Sequence, residues 1–135
     1  YFVEKNWEEL LKFSRRTQHQ LDQWAARYGY KDQPKEILDH AKSGCHAGRY
    51  TAVNLTNADT VEFRMFRGTL KYSTLIATLE LLDCIIDAAI YLTDDDLKAM
   101  SWSSFMLGCT QPELVQYLKE RRLYVNEPVE SEAEI

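Results

Sequence analysis

The feature that most constrains this fold is a change in the spacing of apolar residues between residues 48 and 73. On either side of that segment apolar side chains recur every three or four residues, as along an amphipathic helix. Within it they alternate with polar residues in two runs, 49–56 and 60–67, both rich in β-branched and aromatic residues. The Asn-Ala-Asp sequence at 57–59 suits a tight turn. The pattern therefore predicts an α+β fold that is mostly helical, with one antiparallel β-hairpin.

Two helices are predicted before the hairpin. The first covers residues 6–28, with Asn6 as its amino-terminal cap and Gly29 just beyond its end. The second begins at Pro34, whose fixed φ suits a first helical turn, and ends before Gly44. One stripe of the first helix is expected to be buried, and it consists of Trp7, Leu10, Leu11, Ser14, Thr17, Leu21, Trp24, Ala25 and Tyr28.

A long helix is predicted directly after the hairpin, over residues 73–92. We expect it to cover the apolar face of the hairpin, formed by Val53, Leu55, Val61, Phe63 and Met65. Further helices are predicted from Thr93 to about Met100 and from Thr110 through Leu118, with a helical turn over 102–107. The buried stripe of the long helix is expected to be Leu75, Ile76, Leu79, Leu82, Ile85, Ile86, Ala89 and Ile90.

Length and charge limit the kind of protein. At 135 residues the chain has the size of one domain, predicted to cover residues 1–126 and to be followed by an acidic, flexible tail at 127–135. A net charge of −5 argues against nucleic acid as a partner. Three widely spaced cysteines and the lack of a long apolar run indicate a cytoplasmic protein that does not insert into a membrane.

The register of the hairpin decides which polar side chains share a face. If Thr56 lies opposite Thr60, then Asn54 faces Glu62 and Ala52 faces Arg64, so an amide, a carboxylate and a guanidinium stand together. A carboxylate beside an arginine stays ionised and can bind Mg²⁺, and the guanidinium can bind a phosphate or a carboxylate.

Two further arginines, Arg49 and Arg67, lie at the open end of the same hairpin and could join Arg64 around one anion. The alternative is that this face is simply solvated, with a surface ion pair between Glu62 and Arg64 worth about 0–1 kcal/mol. The residue pattern leaves both interpretations open.

The hairpin and the helix after it, residues 49–92, resemble the carboxyl-terminal strand pair and helix of the amidoligase family. That family belongs to the carboxylate–amine ligases, with glutamine synthetase and glutamate–cysteine ligase. The resemblance is carried by the runs Arg-Tyr-Thr-Ala-Val-Asn-Leu at 49–55 and Thr-Val-Glu-Phe-Arg-Met-Phe-Arg-Gly-Thr-Leu at 60–70.

The resemblance implies an ATP-dependent ligase that activates a carboxylate as an acyl phosphate, which an amine then attacks. It assigns Glu62 and Arg64 as catalytic residues, with Glu62 also holding Mg²⁺, and Arg49, Asn54 and Arg67 as substrate-binding residues. Its cofactors would be ATP and Mg²⁺. Its partners would be a small-molecule or peptide carboxylate and an amine.

One part of the family pattern is missing. The amidoligases carry an amino-terminal Glu-x-Glu strand, whereas this chain is helical in that half. We therefore expect a carboxyl-terminal segment of a longer protein that is inactive, and binds ATP and Mg²⁺ weakly, on its own. The alternative function is a non-catalytic interaction or structural domain of a phage or mobile-element protein. In either case exposed strand edges and half-covered apolar surface predict a homo-oligomer.

The remaining polar residues give weaker signals. His19, His40 and His46 with Cys45 lack the spacing of a metal site and are expected to be ordinary surface or loop residues. Basic residues near the end of the last helix, Lys119, Arg121 and Arg122, are expected to complement its dipole.

Overall fold

The computed structural model describes residues 1–43 and 48–124. The expectations for Cys45, His46 and the tail at 127–135 lie outside these residues. Within them the predicted α+β class is confirmed, because the chain is mostly helical and contains a two-stranded antiparallel sheet. The elements are α1 (Phe2–Lys5), α2 (Trp7–Ser14), α3 (Gln18–Trp24), α4 (Pro34–Ser43), β1 (Val53–Asn54), β2 (Glu62–Phe63), α5 (Tyr72–Tyr91), α6 (Asp94–Ala99), α7 (Trp102–Leu107) and α8 (Pro112–Glu120).

The predicted helix over 6–28 is wrong, because the chain breaks between α2 and α3. Arg15 adopts the left-handed conformation, with φ 60°, and Thr17 then begins a new helix through a reciprocal capping box with Gln20. Asn6 takes the predicted cap position before α2, but its side chain does not cap the helix and its amide instead donates to the carbonyl of Phe2 at 3.0 Å. The break redirects α3, so that Leu21 joins the core formed by α2.

After α3 the chain becomes extended and runs beside the hairpin. Ala26 forms an isolated parallel bridge with Thr51, through hydrogen bonds from Ala26 N to Tyr50 O (2.8 Å) and from Ala52 N to Ala26 O (2.9 Å). The prediction of helix at 25–28 is therefore wrong, because Ala26 pairs with the residues before β1 and Tyr28 N donates to Glu4. This bridge covers part of a strand edge that was expected to be exposed.

The predicted register of the hairpin is confirmed. Val53 lies opposite Phe63 and Asn54 opposite Glu62, and Arg64 N donates to Ala52 O at 2.9 Å in the same register. The regular strands are two residues long instead of the eight predicted. The turn and the alternation of side chains were sufficient to predict which residues lie opposite each other. Only the central residues of the two predicted strands form a regular β-ladder.

Helix α5 has the predicted position, but of its predicted buried stripe only Ile85 is buried. Thr74, Ala77, Leu81 and Ile85 are buried, and α5 packs mainly against α8. The apolar face of the hairpin is covered only in part: Met65 is fully buried and Val53 and Phe63 pack against the core, whereas Val61 is 57% exposed. In the ranges that the structure describes, no helix is both long enough and apolar enough to cross a membrane.

The last three helices complete the core. The predicted cap of α6 is confirmed by a capping box between Thr93 and Asp96, and α7 occupies the predicted turn. Helix α8 is preceded by Gln111 as its cap, not by Thr110, because Pro112 takes the first helical position. The largest fully buried apolar side chains are Phe13, Leu10, Leu21, Met65, Leu81, Met106, Leu114 and Leu118.

Candidate functional site

Three of the predicted site residues meet on the polar face of the hairpin. Asn54 Nδ2 and Arg64 Nη1 each donate to Glu62 Oε1, both at 3.3 Å. Asn54 is buried, and the side chains of Glu62 and Arg64 are partly exposed. The register predicted from the sequence therefore produces the predicted amide–carboxylate–guanidinium group, but the roles assigned to these residues stay predictions.

Arg49 reaches the same face through Tyr50. The guanidinium groups of Arg49 and Arg64 lie 5.2 Å and 5.1 Å from the centre of the Tyr50 ring, and Arg49 Nη2 lies 3.3 Å from the Tyr50 hydroxyl. Through this hydrogen bond and its charge, Arg49 lowers the pKa of Tyr50 below its usual value. Both guanidinium groups thus contact one aromatic ring, whose negative face attracts cations.

Arg67 lies elsewhere. It lines a cavity of about 670 Å³ together with Lys12, Arg15, Arg16 and Arg121, none of which belongs to the hairpin face. A backbone hydrogen bond accounts for this position of Arg67. Arg67 N donates to the carbonyl of Ser14 at 3.1 Å, which holds the chain after β2 against the end of α2. Arg67 is thus brought together with residues that the sequence did not connect with it.

The hairpin face makes a poor metal site by itself. Glu62 supplies one carboxylate, already hydrogen-bonded to a guanidinium, and Asn54 Oδ1 is used by Thr56 N (3.1 Å) and Thr56 Oγ1 (2.7 Å). Residues 1–43 and 48–124 contain no group of three or more His, Cys, Asp or Glu side chains that could hold a metal ion. The residues described do not fit a Mg²⁺ centre without further ligands.

A second concavity, which the sequence did not indicate, is apolar. This cavity of about 510 Å³ is lined by residues of α1, α4, the hairpin and the last turns of α5. Its buried carboxylate, Glu4, accepts from Arg27 Nε (2.9 Å), Tyr28 N (2.9 Å) and Gly29 N (3.2 Å), and the Tyr28 hydroxyl donates to Val53 O at 2.7 Å. With these polar groups paired, the remaining lining is available for apolar contacts.

An exposed row of apolar side chains on α5 leads into this cavity. We call it the α5 stripe, and it consists of Leu75, Leu79, Leu82, Ile86 and Ile90. Four of these are among the most exposed large apolar residues described: Leu75 is 46% exposed, Leu79 51%, Ile86 42% and Ile90 64%. Ile86 and Ile90 also line the cavity, so the stripe and the cavity form one continuous apolar surface.

Acidic residues border the α5 stripe on one side. Glu80, Asp83 and Asp87 follow the same helix, and Glu113 lies near Glu80 on α8. Desolvation, together with the charges of Glu113 and Asp83, raises the pKa of Glu80 above its ordinary value. The surface therefore combines an apolar row with a negatively charged edge.

Other residues considered in the sequence take ordinary positions. His40 contacts the Tyr28 ring at 5.6 Å, and His19 is exposed on α3. Arg121 donates two hydrogen bonds to the carbonyl of Lys12, from Nε (3.2 Å) and Nη2 (2.7 Å). It therefore does more than complement the dipole of the last helix.

Comparison of the chain with protein-family models, with curated proteins and with solved structures finds no match. The amidoligase resemblance and the cytoplasmic location therefore stay predictions.

Proposed function

We propose that this chain is a non-catalytic interaction domain that binds an amphipathic helix of a partner protein on the α5 stripe and the adjoining cavity. The observation that carries the proposal is the continuous apolar surface described above. A monomeric protein rarely exposes a contiguous apolar patch of this kind without a binding role. A partner would remove that surface from water, and the hydrophobic effect would drive the association.

The spacing of the stripe matches a helical partner. Its residues follow one another at intervals of four, three, four and four, which is close to the repeat of a two-helix seam. Because Leu75 and Ile90 are 15 residues apart and a helix rises 1.5 Å per residue, the seam can extend over roughly 22 Å. A helix with apolar residues three and four apart would fit this row, as in other helix-in-groove complexes.

The acidic edge specifies the charge of the partner. Glu80, Asp83 and Asp87 would face the flank of a docked helix, so lysine or arginine on that flank would be favoured. A second copy of this chain would bring the same acidic residues and, in an antiparallel pair, would place like charges together. The homo-oligomer predicted from the sequence stays a prediction, and we favour a basic amphipathic helix.

Binding of two designed peptides to the full chain tests this proposal. Both peptides carry leucine at alternating spacings of three and four, one with lysine and the other with glutamate on the flanks. We expect the lysine peptide to bind in isothermal titration calorimetry, and Leu79→Asp or Ile86→Asp to abolish the binding. Leu107→Asp, which changes an exposed leucine on α7, is the matched control and should bind normally.

Three results would contradict the proposal. They are failure of both peptides to bind, equal binding by the Leu79→Asp variant, and a stable dimer that buries the stripe in light scattering. The last result would favour the homo-oligomer instead.

A second candidate is the carboxyl-terminal segment of an ATP-dependent amidoligase. It is favoured by one observation, the contact of Glu62 with both Asn54 and Arg64, the residues to which the resemblance assigns roles. In this proposal the carboxylate and amine substrates, ATP and Mg²⁺ belong to a longer protein that supplies the missing acidic strand. Calorimetry of Mg-ATP with that protein should show weaker binding for Glu62→Gln and Arg64→Ala, and equal affinities would remove the assignment.

A further inference from the structure

Five cations line one cavity in a chain whose net charge is −5. They are Lys12 and Arg15 and Arg16 around the end of α2, Arg67 after β2, and Arg121 after α8. Glu8 is the one carboxylate among the described lining residues. Because Arg67 and Arg121 are far in the sequence from the other three cations, the tertiary fold has concentrated positive charge against the overall charge of the protein.

These cations are not neutralised by carboxylates. The ion pairs found among the described residues join Arg27 to Glu4, Lys35 to Asp39 and Arg64 to Glu62, so none includes a cation of this cavity. Clustering cations without counter-charges is unfavourable, and it produces a local positive potential that attracts anions.

Three of the arginines are held in place by neutral acceptors. Arg15 Nη2 donates to Arg67 O at 2.8 Å, Arg16 Nη1 donates to Arg64 O at 3.1 Å, and Arg121 donates to Lys12 O. Backbone carbonyls fix these guanidinium groups but leave their charges uncompensated. A binding site whose side chains are already positioned loses less conformational entropy when a ligand arrives.

One donor at this site lacks an acceptor. Arg15 Nε is buried without an acceptor of good geometry among the described residues, although the Arg15 guanidinium also interacts with the Tyr117 hydroxyl. A buried N–H group without a partner is costly, and an anionic oxygen is the acceptor that a guanidinium binds most strongly.

We propose that this cavity binds a soluble ligand that carries a chain of phosphates. Guanidinium groups match phosphate oxygens in geometry, and several cations around one concavity suit a ligand with several negative charges. The concavity is open to solvent, so a charged ligand can reach its cations directly. A nucleic-acid backbone is less well suited, because it would extend beyond the cavity over a protein whose net charge is −5. This site is separate from both the hairpin face and the α5 stripe, so it does not depend on the proposed function.

Calorimetric titration of the full chain with inorganic triphosphate tests the proposal. We expect saturable one-to-one binding that weakens as salt is added. Arg67→Gln and Arg16→Gln should each weaken it about tenfold, the effect of losing roughly one charge-assisted contact. Arg122→Gln is the matched control, because Arg122 is the neighbour of Arg121 but does not line the cavity, and its affinity should be unchanged.

The choice of probes separates the possible sources of the ligand. Equal or tighter binding of ATP would support a soluble polyphosphate ligand. Binding of vesicles that contain a phosphorylated inositol lipid, or of a short oligonucleotide, without binding of triphosphate would overturn the proposal. So would equal affinity in the Arg67→Gln, Arg16→Gln and Arg122→Gln proteins.

Arg67 is exposed and its side chain anchors no backbone group, so the Arg67→Gln protein should fold normally, which circular dichroism can verify.

Discussion

Glu4 and Arg27 form an ion pair, with Nε and Oε1 2.9 Å apart, that joins the first helix to the extended segment after α3. Glu4 is only 5% exposed, and it also accepts hydrogen bonds from Tyr28 N and Gly29 N. One carboxylate thus positions a segment that runs beside the hairpin and lines the apolar cavity.

Removal of this carboxylate should destabilise the fold. Glu4→Ala leaves two backbone N–H groups and Arg27 Nε without their acceptor, so we expect the free energy of unfolding to fall by about 3 kcal/mol. Urea unfolding monitored by circular dichroism measures the loss. The control is Glu36→Gln, at an exposed position on α4, which should change stability by less than about 0.5 kcal/mol. Similar losses in both proteins would contradict the role given to Glu4.

The backbone conformation at position 29 requires glycine. Its φ is +95°, a conformation that strains any residue with a Cβ atom, although nothing lies within 4 Å of the position where a Cβ would be. Gly29→Ala should therefore destabilise the protein by about 1–3 kcal/mol. Gly68→Ala is the matched control, because that site is equally open and its φ is not positive. Thermal unfolding that gave equal losses for both variants would exclude backbone strain as the cause.

The two apolar sides of α5 should respond differently to truncation. Leu81 is fully buried, so Leu81→Ala should cost about 2–5 kcal/mol of stability. Leu79 is two positions away but 51% exposed, so Leu79→Ala should cost less than about 1 kcal/mol. Urea unfolding of the two variants checks this pair. A large loss for Leu79→Ala would mean that the α5 stripe belongs to the core of the chain and is not a binding surface.

Cys109 should make stability fall at alkaline pH. Burial, with a further effect from Cys84, raises the pKa of the Cys109 thiol above its ordinary value. Because the folded state then keeps a proton that the unfolded state releases, the contribution to stability is complete below about pH 8.5 and is lost as pH rises.

Unfolding free energies measured across the alkaline range should therefore decline less steeply in Cys109→Ala than in the wild type. Cys109 should also be alkylated more slowly than Cys84, which is only partly buried, and mass spectrometry of the labelled protein can show this. Identical slopes would exclude the proposed titration.

Local pattern was sufficient for several elements. Asn54 lies opposite Glu62 because side chains alternate along a strand and the turn is short. Both features are properties of residues that are close in the sequence. The sequence also contained the break that the helix prediction missed, because Thr17 followed by Gln20 is a capping box in the middle of 6–28. Apolar residues continue at helical spacing across the break, so periodicity alone did not reveal it.

The sequence by itself therefore determined the α+β class, the hairpin register and the limits of α4 and α5, because helix and strand periods are set by the local backbone. The tertiary structure decided which side of α5 is buried, since two of its sides are apolar and only packing against α8 distinguishes Leu81 from Leu79. It also decided that Arg67 meets Arg15 and Arg121 rather than Arg49. These contacts join segments that are distant in the sequence, so the spacing of neighbouring residues does not predict them.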